Sequence, residues 1–236
     1  MSIKIARFTK SIFVKFKLHL IFGFLEGFFI QFAQLIKMSK WINENRKIDG
    51  NDFFSKWDYE KRFKLYSNII QNEKLEEEIN YLEFGVASGA SFEWWMKKNT
   101  NASSRFYGFD TFTGLPEDFG QYKKGYFNSG AIPVIIDNRG KFYQGLFQQT
   151  LPGFLKEFDS TKRNVVMMDA DLYTATLYTL TSLAPYLKKG DIILFDEFCV
   201  PTHEFKAYQD FINSYYMDLE PIGVANNYYF IAFKIK

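Results

Sequence analysis

Hydrophobic and polar positions divide this chain into two parts with different patterns. From residue 80 onward, short apolar runs alternate with segments of helical periodicity. The apolar runs predict strands at Asn80–Phe84, Arg105–Phe109, Lys141–Gln144, Asn164–Met168 and Asp191–Phe195. The intervals predict helices, for instance at Ser91–Asn99, Thr174–Leu187 and Glu204–Tyr216, and Ile222–Ala225 with Tyr228–Ile235 predicts a terminal hairpin. Such alternation is typical of an α/β fold with a mostly parallel sheet and helices on both faces.

The first 37 residues are rich in phenylalanine and predict an amphipathic helix. On a helical wheel, Lys15, His19, Glu26 and Lys37 lie on one narrow stripe, and apolar residues fill most of the rest. Interrupting charges and the lack of a small-residue cleavage site argue against a secretory signal, and the central Glu26 argues against a spanning helix. Three interpretations stay open: packing on the domain or on a second subunit as a homodimer, contact with a membrane surface, or a true span.

Composition narrows the classes of protein. A chain of 236 residues with 47% hydrophobic residues is long enough for one α/β domain, and we divide it into a helical segment 1–45 and a domain 46–236, with a further helix over Asp58–Asn72. Lys+Arg 29 against Asp+Glu 27 gives no indication of nucleic-acid binding. The single cysteine, Cys199, fits a reducing compartment, so we expect a cytoplasmic protein, with peripheral membrane association as a second possibility.

A strand, a glycine turn and a helix follow one another in Asn80–Phe92, NYLEFGVASGASF. Gly85 and Gly89 would let the backbone approach a ligand, and the helix start would offer free N–H groups. This pattern indicates a nucleotide site, although alone it is a weak motif.

Acidic residues stand where the predicted strands end. Asp110 follows the second strand, Asp169 the fourth, and Asp196 with Glu197 the fifth. Ligands bind at this edge in such folds, and a carboxylate there can accept hydrogen bonds from ribose hydroxyls. Converging carboxylates repel one another unless a cation lies among them, and hard oxygen ligands favour Mg²⁺ over zinc.

Five strings in this part of the chain resemble the macrocin O-methyltransferase family, whose members use S-adenosylmethionine to methylate sugar hydroxyls. The strings are LEFGVASGASF, FYGFDTFTGLPEDF, GLFQQTLPGFL, MDADLYTAT and GDIILFDEF, and the resemblance covers Tyr81 to Ile212. It implies a class I methyltransferase (Rossmann-like) fold, with a seven-stranded, mostly parallel sheet whose last strand is antiparallel. The acceptor would be a hydroxyl of a sugar or of a glycosylated small molecule.

The resemblance also implies a role for particular residues. The turn around the methionine part of the cofactor would contain Glu83, Gly85, Ala87 and Gly89, with Ser91 beside it. Asp110 would hold the ribose, flanked by Thr111 and Phe112, and the adenine would lie against Phe147 and Gln148. The metal would be bound by Asp169, Asp196 and Glu197. Some relatives have Asp or Asn at the last position, so the longer Glu197 could instead bind through water.

The predicted chemistry needs an activated hydroxyl. Coordination to Mg²⁺ lowers the pKa of an alcohol, and a general base then takes its proton. Asp169, Asp171 and His203 are the candidate bases. Each has a structural alternative: either aspartate could cap the next helix, and His203 could be a loop or helix-start residue.

Two other functions compete with this prediction. A glycine turn and a strand-end acid also suit an NAD-dependent oxidoreductase, but the G-x-G-x-x-G spacing is missing. A non-catalytic, membrane-attached nucleotide-binding module is the other. The long segment Gly114–Gly140 is a candidate lid, and its Tyr122, Tyr126 and Phe127 would either stack on an acceptor or form the core of the loop itself.

Overall fold

Seven strands form one sheet at the centre of the molecule. The structure is a computed structural model that describes residues 2–52 and 56–236. The strands are β1 Ile79–Phe84, β2 Arg105–Asp110, β3 Gly140–Gln144, β4 Arg163–Met168, β5 Ile192–Phe195, β6 Leu219–Ala225 and β7 Phe230–Ile235. Their order is β3-β2-β1-β4-β5-β7-β6, with β1 to β5 parallel and β7 antiparallel to both of its neighbours. The predicted class I methyltransferase fold is confirmed.

Helices cover both faces of this sheet and extend it at the N-terminus. They are α1 Ile3–Lys15, α2 His19–Phe22, α3 Glu26–Glu44, α4 Lys61–Glu73, α5 Ala90–Lys98, α6 Phe147–Leu155, α7 Tyr173–Leu183 and α8 Glu204–Tyr215. The helix predicted to reach Leu187 ends at Leu183, because a short 3₁₀ turn containing Pro185 follows it. The other predicted ends differ from the observed ones by a few residues.

Alternation along the central strand β1 divides the core into two layers. Leu82 and Phe84 face one layer, where the Phe84 ring stacks on Phe109 at 4.8 Å between centroids. Tyr81 faces the other layer and stacks on Trp95 at 5.0 Å. Trp95 is fully buried, whereas its neighbour Trp94 is only partly buried.

The N-terminal extension is helical, as predicted, but it is not one continuous helix. The chain leaves α1 through Lys17, whose φ is 49°, and passes through a 3₁₀ turn at Gly23–Leu25 before α3. Only the last turns of α3 reach the domain, where Met38 is part of the core and the Trp41 ring meets the Phe198 ring edge-on at 5.1 Å. The division at residue 45 stays a prediction, and the end of its first segment packs with the second.

A cluster of ion pairs joins the end of α4 to the sheet. Glu73 accepts hydrogen bonds from Arg163 at 2.6 Å, and its carboxylate lies 2.8 Å from the Lys234 ammonium group. Burial alone would raise the pKa of Glu73, but hydrogen bonds from these two cations outweigh it and lower the pKa below its ordinary value. This contact fastens α4 to β4 and β7 at the edge opposite to the strand-end acids.

Candidate active site

The glycine turn brings the end of β1 against the end of β4. Gly85 has a φ of +98°, and its N–H donates to Phe109 O at 2.9 Å. A Cβ at this position would lie 1.6 Å from Asp169 O, which no real side chain tolerates. Position 85 therefore requires glycine, both for its conformation and for this close approach of two backbones.

Buried oxygen atoms without partners lie beside this turn. Glu83 is 1% exposed, and its Oε2 accepts a hydrogen bond from the Tyr81 hydroxyl at 2.5 Å. Burial raises the pKa of Glu83 to about 8. Glu83 Oε1 and Ser91 Oγ are both buried, and neither has a hydrogen-bond partner among the described residues. Because unpartnered buried polar atoms are costly, they are the expected sign of a missing polar ligand.

Asp110 holds the turn in place. Its Oδ2 accepts hydrogen bonds from the N–H groups of Val86 and Ala87, both at 2.8 Å, and its Oδ1 accepts from Phe112 N–H at 2.7 Å. Ala87 has a φ of 46°, a conformation that these hydrogen bonds stabilise. The sequence predicted Asp110 only as a ribose ligand, and the structure adds this second role.

The remaining residues predicted for the cofactor lie around the same edge. Thr111 Oγ1 donates to Gly114 O at 2.8 Å, and Phe112 is buried. Phe147 and Gln148 begin α6, where the Phe147 ring meets Phe84 edge-on at 5.3 Å and Gln148 is exposed. The structure thus brings these side chains to the ends of β1, β2 and β3, and their cofactor contacts stay predictions.

Asp169 and Asp196 follow two adjacent parallel strands, as the sequence predicted. The Asp196 N–H donates to Met168 O at 2.9 Å, which fixes the ends of β4 and β5 side by side. Burial, reinforced by the negative charge of Asp196, raises the pKa of Asp169 well above its usual range. These two carboxyl groups thus share one poorly solvated space.

A cation that sequence reasoning missed lies in this space. Arg62 on α4 is 2% exposed, and its Nη1 lies 3.3 Å from Asp196 Oδ1. The Tyr66 hydroxyl donates to the same oxygen at 3.4 Å. Burial raises the pKa of Asp196 to about 6, and the Arg62 guanidinium opposes that rise. An arginine within an otherwise apolar helical stripe was the signal that could have revealed it.

Asp171 and Glu197 form a carboxyl–carboxylate pair next to these residues. Burial, together with the Glu197 charge and a hydrogen bond between the two side chains, raises the pKa of Asp171 to about 8. Asp171 has a φ of 57°, unusual for a non-glycine residue and frequent at functional sites. The Tyr229 hydroxyl donates to Glu197 Oε1, and Glu197 Oε2 is buried without a hydrogen-bond donor among the described N–H and hydroxyl groups.

His203 lies at the same end of the sheet in a structural position. Its Nδ1 accepts a hydrogen bond from Tyr173 N–H at 3.3 Å, at the start of α7, and its ring meets Phe119 edge-on at 4.8 Å. Burial lowers the pKa of His203, so the imidazole is neutral at neutral pH. A catalytic role for His203 stays a prediction, and the helix-junction alternative has the observed contacts.

The segment between β2 and β3 covers the site from both ends. Near the acids, Leu115 and Phe119 pack on Leu172. Near the turn, the Pro133 ring lies against Gly89, where an added Cβ would stand 3.1 Å from two of its atoms. This segment therefore bounds the space between the glycine turn and the acidic residues.

Three aromatic residues of the covering segment pack on one another. The Tyr122 ring lies 4.6 Å from Tyr126 and 5.1 Å from Phe127. These contacts favour the interpretation in which they form the core of the loop, while about half of the surface of Tyr126 and Phe127 is left exposed.

Comparison with known proteins agrees with this geometry. Residues 82–198 match the protein family described as "Methyltransferase domain". Residues 82–198 are therefore similar to a methyltransferase domain. The chain's membership of the narrower macrocin family stays a prediction, and the match favours methyl transfer over the NAD-dependent alternative.

Individual proteins similar to this chain include several methyltransferases. Mycinamicin III 3''-O-methyltransferase of Micromonospora griseorubida is 31% identical over 77 residues, which are 30% of this chain and 29% of that enzyme. The structure of CalS11, calicheamicin methyltransferase, superposes with a TM-score of 0.60 at 22% identity over 75% of this chain and 80% of that one. The structure of the O-methyltransferase NovP superposes with a TM-score of 0.55 at 18% identity, over 74% of this chain and 78% of NovP. The two structures share the fold of the domain.

The carboxylate oxygens at the acidic end of the site are suitable ligands for a hard cation, but their arrangement is not a preformed metal site. Oxygen ligands would come from Asp169, Asp196 and Glu197. Burial and neighbouring negative charge raise the pKa of both aspartates, and Glu197 Oε2 has no hydrogen-bond donor among the described N–H and hydroxyl groups. Within residues 2–52 and 56–236, no three Asp, Glu, His or Cys side chains are arranged to hold a metal ion. Arg62 neutralises part of this charge instead, so Mg²⁺ would have to draw the carboxylates together.

Proposed function

We propose that this protein is an S-adenosylmethionine-dependent O-methyltransferase that acts on a hydroxyl of a sugar or of a glycosylated small molecule. The observation that carries the proposal is the juxtaposition at one sheet edge of a glycine turn held by Asp110 and a partly buried group of acidic residues around Asp171. The first suits a nucleotide with a ribose, and the second suits removal of a proton from a hydroxyl. The similarity to mycinamicin III 3''-O-methyltransferase, and to the CalS11 structure described as a TDP-rhamnose 3'-O-methyltransferase, supports the sugar acceptor.

The unpartnered oxygens beside the turn would bind the methionine end of the cofactor. Glu83 Oε1 would accept a hydrogen bond from its ammonium group, and Ser91 Oγ would donate to its carboxylate. Asp110 Oδ1, which accepts only from Phe112 N–H among the backbone groups, has a lone pair left for a ribose hydroxyl, and Phe147 would face the adenine. In this arrangement every polar group that the turn leaves unsatisfied obtains a partner.

The residues of this chain then have three tasks in methyl transfer. The fold holds the acceptor oxygen in line with the methyl carbon and the sulfur, which lowers the entropic part of the barrier. Because burial raises the pKa of Asp171 to about 8, this side chain must first lose its own proton; the resulting carboxylate then takes the hydroxyl proton and is a stronger base than an ordinary aspartate. S-adenosylmethionine, when bound, would supply a methyl group on a positively charged sulfur, which would leave with the electron pair of the broken C–S bond as the new C–O bond forms. The covering segment keeps water out.

Mg²⁺ is a further part of the proposal. Asp169, Asp196 and Glu197 would hold it, with Glu197 Oε2 as the oxygen that has no other donor. When bound, the ion would lower the pKa of the acceptor hydroxyl.

Direct binding and transfer measurements test the proposal. We expect the full-length protein to bind S-adenosylmethionine but not NAD in calorimetry, and to methylate a member of a panel of sugar nucleotides and glycosides. Asp171→Asn should keep cofactor binding and lose transfer by about 10²–10⁴-fold, because it removes the base. Asp159→Asn, an exposed acid before β4, is the matched control and should be unchanged.

Each part of the proposal has its own contradicting result. Binding of NAD in place of S-adenosylmethionine would refute the function as a whole. Cofactor binding without transfer to any acceptor would support the non-catalytic module. Full activity in excess EDTA would remove Mg²⁺ and leave the rest standing.

A further inference from the structure

The N-terminal helices expose an unusually large apolar surface. Before Met38, no apolar side chain in the described part of this segment is buried. Those with at least 70% exposure are Ile3, Val14, Leu20 and Phe24, and twelve others exceed 45%. Contiguous apolar surface of this extent on a soluble domain marks an interaction site.

Part of this surface is an ordered ridge. Large apolar side chains recur there at steps of four residues, and each is at least half exposed: Phe24 (83%), Phe28 (63%), Phe32 (52%) and Ile36 (56%). The Phe28 and Phe32 rings stack at 5.9 Å. Residues four apart lie on one face of a helix, so the ridge runs for about 18 Å along α3 and the turn before it.

Charge identifies what covers this ridge. Every charged residue before Glu26 is a cation, namely Lys4, Arg7, Lys10, Lys15 and Lys17. An apolar face beside a set of basic residues is the pattern of helices that lie in an anionic lipid surface. A second protein copy would bring the same cations and repel them.

The same charges favour the surface over a span. Residues 19–44 are helical, and an 18-residue stretch within them has a mean hydropathy of 1.5, so the segment is long and apolar enough to cross a bilayer. However, Glu26 lies inside the apolar stretch, and cations flank it on both sides, with Lys17 before and Lys37 and Lys40 after. A span would separate these flanks across the membrane, whereas a helix in the interface keeps both near anionic headgroups.

The helix that carries the ridge is rooted beside the acidic end of the active site. Trp41 on α3 packs on Phe198, which directly follows Glu197. The same indole ring also lies 5.9 Å from Tyr208 and 6.0 Å from Phe233, so the attachment is firm. The C-terminal end of α3 therefore lies next to the acidic end of the site.

We propose that residues 3–36 form an interfacial anchor for an anionic membrane, and that the anchor presents the site to a lipid-linked acceptor. The choice of acceptor rests on the function proposed above, while the anchor does not. The substrate class would be a sugar hydroxyl on a glycolipid or a lipid-linked glycan precursor.

Vesicle flotation of the full-length protein tests the anchor. We expect flotation with phosphatidylcholine vesicles that contain 30% phosphatidylglycerol (roughly the anionic content of a charged leaflet), and at least about tenfold weaker binding to phosphatidylcholine alone. Replacing Lys4, Arg7, Lys10, Lys15 and Lys17 by Gln should reduce binding by at least about tenfold, and so should Phe24→Ser with Phe28→Ser. Lys97→Gln with Lys98→Gln, an exposed pair on α5, is the matched control and should bind like wild type.

Two results would overturn the anchor. The first is a wild-type protein that stays in the soluble fraction with anionic vesicles, whether as a monomer or as a dimer in sedimentation. The second is retention in vesicles after extraction at high pH, which would indicate a spanning helix.

A comparison of acceptors tests the lipid-linked substrate separately. We expect wild type to methylate a sugar on a vesicle-borne glycolipid at least about tenfold faster than the same sugar as a soluble glycoside. The variant in which the five basic residues before Glu26 are replaced by Gln should lose that preference while keeping its rate on the soluble glycoside. Equal preference in both proteins would refute the lipid-linked acceptor, and failure to bind S-adenosylmethionine would refute the proposed function without affecting flotation.

Discussion

The buried pair between Arg62 and Asp196 leads to a quantitative prediction. Their charged groups are 3.3 Å apart, and the two side chains are only 3% and 9% exposed. Arg62→Met keeps the length of the side chain but leaves Asp196 as an uncompensated buried charge. Breaking a pair of this kind costs about 3–5 kcal/mol, against about 0–1 kcal/mol for an exposed pair.

The cost should be visible in equilibrium unfolding. A loss of about 3–5 kcal/mol is a large part of the total stability of about 5–15 kcal/mol that is usual for a domain. For a chain of this size each kcal/mol lowers Tm by about 2–4 °C, so Tm should fall by about 6–20 °C. Urea denaturation monitored by tryptophan fluorescence measures the free energy of unfolding, and calorimetry measures Tm. Both are done in EDTA so that no added cation replaces the guanidinium.

Two further variants distinguish the charge from the packing. Arg62→Lys keeps a cation and should cost clearly less than Arg62→Met. The double variant with Asp196→Asn removes both charges and should be more stable than Arg62→Met alone. A cost below about 1 kcal/mol for Arg62→Met, or a double variant whose cost equals the sum of the single ones, would refute the pairing as the source of stability.

Three other substitutions test the turn and the sheet. Gly85→Ala should lower S-adenosylmethionine affinity by at least about tenfold in calorimetry, because its Cβ would lie 1.6 Å from a backbone oxygen. Gly190→Ala is the control: Gly190 also has a positive φ, +94°, but an added Cβ meets no atom within 4 Å, so this variant has the backbone strain without the collision. Asp110→Ala should cost about 1.5–3 kcal/mol of cofactor affinity, and unchanged binding would contradict its role. Glu73→Gln should lower the free energy of unfolding by about 1–3 kcal/mol at pH 7. Because the folded pKa of Glu73 is lowered, that difference should shrink as the pH falls from 7 through the folded pKa, and a difference that grows toward acidic pH would contradict it.

The sheet could be predicted from the sequence because each strand carries its own signal. The apolar runs at β1, β4 and β5 are bounded by glycine or acidic residues, so their ends were predicted to within two residues. The neighbouring positions of Asp169 and Asp196 followed from the rule that parallel strands end at one edge.

The break in the N-terminal segment and the contacts of Arg62 could not be predicted in the same way. Apolar periodicity continues across residues 16–18, whereas the turn there depends on the backbone conformation of Lys17. Arg62 and Asp196 are 134 residues apart, so only the packing of α4 on the sheet brings them together. For the same reason, the sequence predicted three metal ligands, but whether their oxygens converge depends on side-chain directions that spacing does not encode.

The segment between β2 and β3 has a consequence for turnover. It is tied at one end to α7, where Thr174 Oγ1 donates to Glu117 at 2.9 Å, and at the other end Pro133 rests on Gly89. In the proposed reaction, spent cofactor and methylated product would therefore leave past the same stretch of chain. If this stretch opens as one unit, both departures have a common rate, and a single slow step after chemistry would set kcat for every acceptor.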